Sequence, residues 1–171
     1  AYHARYRAAL DENNKLIAFH VKAGGIPESP LAANRFPAGA INNYLAEKWT
    51  YDSNITVGAF RAPRSNFIAG AEQSFLDEVA EAMKKDPIDF RLELLERAKK
   101  NPVGKKNDYD PSRYAGVLQL VKEKSNWKGN NTEQYRGTAA YFCHRSYVAN
   151  VLDLEMKNGK PVVKKVYCAI D

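Results

Sequence analysis

Cysteine is scarce in this chain. Its two copies, Cys143 and Cys168, show no Cys-x-x-Cys spacing, so the ligand patterns of an iron–sulfur cluster or a cysteine-held zinc are missing. Both fall in segments read below as paired strands, and the sequence leaves open whether they bond to each other. Long apolar runs are missing too. No stretch of about 18 apolar residues occurs, so no membrane span is expected. There is no Gly-x-Gly-x-x-Gly, no P-loop and no Gly-x-Ser-x-Gly, which leaves no mononucleotide cradle and no nucleophile elbow to name. Histidine is limited to His3, His20 and His144, which are far apart and lack His-x-x-x-His spacing. Each reads as a strand histidine rather than a metal ligand. None of this assigns a compartment: cytoplasm and periplasm both fit.

Charge is plentiful but not concentrated. Lys and Arg number 26 against 20 Asp and Glu, a net charge of +6. The basic residues are scattered or paired (Lys84-Lys85, Lys99-Lys100, Lys105-Lys106, Lys164-Lys165), often with acids nearby. A solvated surface is the commoner meaning of that pattern, so no nucleic-acid partner is expected, while an acidic small substrate or an acidic partner subunit is allowed. With 44% hydrophobic residues, the 171 positions suffice for one domain with a real core, or two small ones that share it.

The periodicities predict an α+β fold, in which a mixed or antiparallel sheet from N- and C-terminal hairpins packs against about three helices. The first hairpin spans Ala8 to Ala23 about Asp11-Glu12-Asn13-Asn14, with Ile17, Phe19 and Val21 on one face. Residues 24–37 are rich in Gly, Pro and Asn and read as a loop. Residues 40–49 read as a short helix or an irregular crossing, and 49–60 as extended. A helix over 71–85 carries Phe75, Leu76, Val79, Ala80 and Met83 on one stripe, with Gln73, Asp77, Glu78, Glu81 and Lys84 outward and Glu72 among its surface acids. Two more helices open at Asp86-Pro87 and Asp110-Pro111, where Asp caps and Pro presets the first turn. A strand at 137–143 precedes the clearest hairpin, Tyr147 to Met156 against Val162 to Cys168 across Asn158-Gly159.

One stretch carries more than a fold. Gly58-Ala59-Phe60-Arg61-Ala62-Pro63-Arg64-Ser65-Asn66 joins an extended segment to a helix. Such a junction leaves N–H groups near a helix N-terminus that suit an anion, and small residues flank Arg61. The alternative is a surface loop closed by an Arg–carboxylate pair, which is the commoner arrangement.

The junction and its helix, GAFRAPRSNFIAGAEQSFLDEVAEAMKKDPIDFRLELL, resemble a signature of the xanthine dehydrogenase and aldehyde oxidase family. There an Ala-Phe-Arg-Gly-like loop runs into an acidic helix and an Asp-Pro-x-x-x-Arg segment. The subgroup most resembled is the beta subunit of isoquinoline 1-oxidoreductase: Glu72-Gln73-Ser74-Phe75-Leu76-Asp77-Glu78-Val79-Ala80 is similar to its Glu-Ser-Phe-Ile-Asp-Glu-Leu-Ala. At the far end, Ser146-Tyr147-Val148-Ala149-Asn150-Val151 and Val166-Tyr167-Cys168-Ala169-Ile170-Asp171 are similar to its Ser-Tyr-Val-Ala-Gln-Val and Val-x-Cys-Ala-Val-Asp. The chain is therefore expected to be an internal piece, a single domain over 1–171, of a molybdopterin-binding subunit.

That resemblance implies a molybdenum hydroxylase that hydroxylates an N-heteroaromatic compound or oxidises an aldehyde. Its cofactor would be molybdenum on molybdopterin, in the cytosine dinucleotide form in many bacterial enzymes. Phe60, Arg61 and Ala62 would lie beside the cofactor, and residues 141–145, with His144, would approach the substrate. Partners would be the rest of its own subunit, an iron–sulfur subunit or domain that takes electrons, and the small substrate. The family's glycine-rich pterin loop and its late Gly-x-Gly-Glu, whose glutamate is the base, are not in these residues, so no catalytic residue and no bound cofactor are expected here. Pro63 also departs from the family, because it has no N–H to offer. The competing reading is a stand-alone, non-catalytic binding or assembly domain with the same fold.

Overall fold

A computed structural model describes residues 2–26, 28–58, 61–104, 107–129 and 135–171. Six strands and three helices follow one another in the order β1 (Tyr2–Leu10), β2 (Leu16–Gly25), β3 (Asn43–Thr50), α1 (Ser65–Ala82), α2 (Pro87–Lys100), α3 (Pro111–Lys124), β4 (Tyr135–Cys143), β5 (Ser146–Lys157) and β6 (Lys160–Ile170). The α+β expectation holds, and the two hairpins sit in separate three-stranded sheets, β1-β2-β3 and β4-β5-β6.

The first hairpin forms because Asp11 closes its turn: its Oδ1 accepts from the N–H of Asn13 and Lys15. Period-two alternation then turns Phe19, Val21 and Ala23 of β2 inward, while a register shift opposite Ala9 and Leu10 buries Leu16 and leaves Ile17, expected on the inner face, exposed. Residues 40–49 do not form a helix or an irregular crossing. From Asn43 they pair parallel with β2, Phe19 opposite Tyr44 and Gly24 opposite Trp49. Asn43 Nδ2 extends this ladder by donating to Ile17 O at 2.9 Å, and Tyr51 N–H donates to Gly25 O at 3.1 Å. The strand ends at Thr50, and of the expected extended element over 49–60, residues 51–58 form no strand and 59–60 lie outside the described residues.

Most parallel pairs are linked by a helix. Here the described residues 28–42 cross instead as irregular chain, and part of that chain is core: Phe36, Ala38, Ala40 and Ile41 are all buried. Its backbone is satisfied by distant partners, since Tyr109 Oη donates to Ala38 O at 2.5 Å and Val103 N–H to Gly39 O at 2.9 Å.

Helix α1 starts at Ser65, ahead of the expected 71. Tertiary contact draws its first turn in: Phe67 packs on Tyr2 with ring centroids 5.5 Å apart, and Ile68 is buried. Both Asp-Pro starts are as read. Asp86 Oδ1 accepts from Ile88 and Asp89 N–H, and Asp110 Oδ1 from Ser112 and Arg113 N–H. Helix α1 touches both β1 and β4, while α3 lies on the second sheet and α2 packs on its two helical neighbours. One apolar core runs through all of it, with Phe19, Leu76, Ile88, Leu95 and Leu118 essentially sealed. Each such side chain contributes about 1.5–3 kcal/mol of burial.

Cys143 and Cys168 are both free thiols. They lie on β4 and β6, with β5 between them.

Candidate functional site

Phe60 lies outside the described residues, as do Ala59, Lys105 and Lys106. Arg61, Ala62, Pro63 and Arg64 are exposed. Two left-handed residues, Ala62 (φ 51°) and Arg64 (φ 67°), fold this loop tightly onto the start of α1. That fold overturns one expectation. The first-turn amides are not open to an anion: Ser65 N–H donates to Pro63 O, Asn66 N–H to Ala62 O, and Phe67 and Ile68 N–H to Arg64 O, all within 2.8–3.1 Å. The loop's own carbonyls have curled over the helix end and satisfied it. Asn66 Nδ2 reinforces the turn by donating to Arg61 O at 3.3 Å, and Ser65 Oγ donates to Ala62 O at 3.2 Å. Arg64 pairs with Glu28 at 3.4 Å, the Arg–carboxylate closure that stood as the alternative. What the loop still offers an anionic group is the Arg61 side chain and the exposed edge at Ala62. A large anionic cofactor would have to be met at that edge, because the helix terminus has no free amide to offer.

The other sequence-derived site residue comes to the same place. His144 is not on a strand: with Arg145 it makes the two-residue turn between β4 and β5, at φ 50° and 69°. Right-twisted hairpins need positive φ at both positions, so His and Arg adopt it here without an Asn-Gly signal in the sequence. The preceding Cys143 thiol donates to Ser65 Oγ at 3.6 Å, which sets this exposed turn against the first turn of α1. The Arg61–Ala62 loop and His144 thus share one edge of the domain. Arg35 braces that edge from within: its Nη1 donates to Phe142 O at 2.6 Å and to Tyr141 Oη at 3.3 Å. Its guanidinium also sits 5.1 Å from the Phe142 ring centroid.

Behind the edge lies a polar core that helical periodicity alone misassigned. Glu72 and Gln73, expected on the surface of α1, are buried at 8% and 4% exposure. The reason is a third buried polar residue, Arg91 on α2, at 1%. Arg91 Nε donates to Gln73 Oε1 and its Nη2 to Gln73 O, both at 2.9 Å, while Nη1 reaches Pro87 O and the Asp77 carboxylate at 2.8 Å. Gln73 Oε1 accepts a second bond from Ala140 N–H of β4 at 3.1 Å, and its Nε2 donates to Glu72 Oε1 at 3.3 Å. The Asp-Pro-x-x-x-Arg stretch is therefore a cap and a clamp that fix α2 to α1 and α1 to the second sheet.

Burial pushes the Glu72 carboxyl up to about 8, against the opposing pull of the Gln73 hydrogen bond and of Arg35 and Arg91. Burial also raises the hydroxyls of Tyr6, Tyr44, Tyr109 and Tyr114, and Tyr141 is pushed up to about 12. A groove of about 330 Å³ runs beside this network between α1 and the β4 edge, lined by Gly70, Gln73, Asp77, Thr138 and Tyr141 among others. Among the described residues no group of three or more His, Cys, Asp or Glu could hold a metal ion. Among the described residues no helix is long and apolar enough to cross a membrane.

No protein-family description and no solved structure matches the chain. Two curated proteins are similar to it. One is a membrane-bound aldehyde dehydrogenase (pyrroloquinoline-quinone) of Gluconacetobacter polyoxogenes, 36% identical over 93 residues, or 54% of this chain and 11% of that protein. The other is the isoquinoline 1-oxidoreductase subunit beta of Brevundimonas diminuta, 28% identical over 107 residues, or 59% of this chain and 12% of that protein. The chain spans only about a ninth to an eighth of the relatives it matches, and the resemblance to the isoquinoline 1-oxidoreductase beta subunit, read first from the residues around Arg61 and the C-terminal hairpin, is borne out by the second of them.

Proposed function

We propose that this chain forms one wall of the cofactor site in an oxidoreductase that oxidises an aldehyde or hydroxylates an N-heteroaromatic compound. In this reading residues 1–171 are one domain of a larger molybdopterin-binding subunit, which also meets an iron–sulfur subunit or domain. The names of both relatives support an oxidoreductase. The observation that carries the site is the Cys143–Ser65 contact, which puts the Arg61–Ala62 loop and His144 on one exposed edge.

Arg61 supplies a fixed positive charge to the anionic rim of the cofactor, and the left-handed turn at Ala62 keeps a small side chain where a bulky group approaches. Phe60 belongs to the same loop in sequence. His144, on the same edge, would orient the substrate. The cofactor, when bound, supplies the redox chemistry, and the protein positions and polarises.

The satisfied amides at the start of α1 favour a second reading, a self-contained binding or assembly domain. The longest reading frame that encodes this chain decides between them. Its purified product is expected to contain stoichiometric molybdenum by elemental analysis and to oxidise aldehydes or isoquinoline. Arg61→Ala should lower kcat/KM by about tenfold or more, some 1.4 kcal/mol, with an unchanged melting temperature. Quinone absorbance without molybdenum would replace the cofactor, and no oxidoreductase activity at all would leave the domain reading. Equal loss of activity and stability in the variant would make Arg61 structural.

A further inference from the structure

The basic residues looked scattered along the chain, yet the register of the first sheet gathers several on one face. Side chains alternate across a strand, so each row of the outer face can be read from the pairing. One row is Arg5, Lys22 and Glu47; the next is Arg7, His20 and Leu45; the third is His3, Gly24 and Trp49. Arg5, Arg7 and Lys22 are exposed, and among the described residues Arg5 and Arg7 make no ion pair. The one carboxylate on the face, Glu47, is already engaged by His20 at 2.6 Å and by Lys22 at 3.9 Å.

Two features show that this is more than a solvated surface. Arg5 and Lys22 stand directly opposite each other in an antiparallel pair, where like charges destabilise. Fold stability alone would not select that pairing, whereas an anion laid across both would relieve it. Second, the face carries exposed apolar bulk beside its cations: Leu45 is 53% exposed and Trp49 39%. The Trp49 indole lies flat over Gly24, where an added Cβ would fall 2.1 Å from the ring. A glycine is required there, and it seats the indole against the sheet, ready to be covered.

We propose that this face docks an acidic protein surface, whose carboxylates meet Arg5, Arg7 and Lys22 while its apolar side chains cover Leu45 and Trp49. Charge complementarity sets the partner's sign, and Trp and Arg, here on the two outer strands of the face, are the residue types enriched at interface hot spots. A protein suits the face better than a nucleic acid. Glu47 sits among the cations, where a phosphate backbone would meet it, and one ring offers no series of stacking platforms. The proposal is independent of the cofactor reading.

The test uses the 171-residue chain and fluorescence anisotropy. Its probes are a short labelled peptide in which glutamates flank a leucine pair, the same peptide with glutamines, and an oligothymidylate of equal length. The glutamate peptide is expected to bind about tenfold or more tighter than the glutamine one, and to weaken as salt rises. Arg5→Gln with Arg7→Gln should remove that preference, and Trp49→Ala should weaken both peptides. Arg5 and Arg7 are exposed and Arg5 faces a like charge, so a circular-dichroism melt of the double variant should match the parent or lie slightly above it. Equal binding of both peptides, indifference to the double variant, or tighter binding of oligothymidylate would each overturn the proposal, the last in favour of a nucleic-acid surface.

Discussion

Arg91 on α2 grips Gln73 on α1 twice, through the side-chain oxygen and the backbone carbonyl, each at 2.9 Å. The grip is buried, and Gln73 passes it on to Ala140 of β4. Losing the guanidinium leaves the Gln73 acceptors and the Asp77 carboxylate without their cation. Arg91→Ala should therefore cost about 3–5 kcal/mol, far more than an exposed arginine. Arg91→Lys should recover little, because a single ammonium cannot span both Gln73 oxygens, Pro87 O and Asp77. Urea unfolding of the two variants measures this. A loss under about 1 kcal/mol for Arg91→Ala would mean that the helices hold together by apolar contact alone.

Glu72 makes stability depend on pH. Burial raises its pKa from 4.5 to about 8 in the fold. Below 4.5 both folded and unfolded chains hold the proton, and this contribution is complete. Between 4.5 and about 8 the unfolded chain releases the proton while the folded one keeps it. Stability then falls at about 1.4 kcal/mol per pH unit from this group, and levels off above the folded value. Glu72→Gln cannot ionise, so it should gain on the parent steadily as pH rises through that window. Urea midpoints at mildly acidic, neutral and mildly basic pH test it; parallel curves for the two proteins would show Glu72 ionised and solvated in the fold.

These two residues also mark where the sequence stopped being legible. Local signals were plain: Asp86-Pro87 and Asp110-Pro111 started helices, and Asn158-Gly159 closed a hairpin, because each acts within a few residues of itself. Gln73 and Glu72 read as helix surface because their neighbours are polar. Only the approach of Arg91, 18 positions away from Gln73, makes that side an interior. Strand β3 was missed for a related reason. Its one strongly β-forming inward residue is Tyr44, and its partner strand is supplied by β2 across a long irregular crossing. The loop at Arg61 was found by resemblance, but its amide bonding depended on left-handed φ at Ala62 and Arg64, which neither residue type announces. Nor could the meeting of His144 with that loop be read before Cys143 was seen against Ser65.

Asp86 serves two structures at once. Its Oδ1 caps α2, and its Oδ2 accepts from Trp127 Nε1 at 2.7 Å. Asp86→Ala removes a cap worth about 1 kcal/mol and leaves a buried indole donor unmet at about 1–3 kcal/mol more. Asp86→Asn keeps one carbonyl oxygen, enough for the cap or the indole but not both, and should fall between. Thermal melts followed by tryptophan fluorescence separate the two effects. An Asp86→Asn protein as stable as the parent would show that one of the two bonds contributes nothing.

Cys143 and Cys168 should stay reduced even where oxidants are present. Each lies in a strand paired with β5, Cys143 opposite Ser146 and Cys168 opposite Asn150, so a full strand separates them and they are offset along it. Two strand spacings amount to about 9–10 Å, beyond the roughly 7 Å that a disulfide can bridge without moving backbone. Bridging them would require β5 to leave the middle of its sheet, where it buries Tyr147, Ala149 and Val151. The melting temperature should accordingly be the same with and without a reducing agent, and thiol titration of the denatured protein should count both cysteines. A reductant-dependent melt with loss of both thiols would mean that the β4-β5-β6 order is wrong, and with it the placement of His144 beside the Arg61 loop.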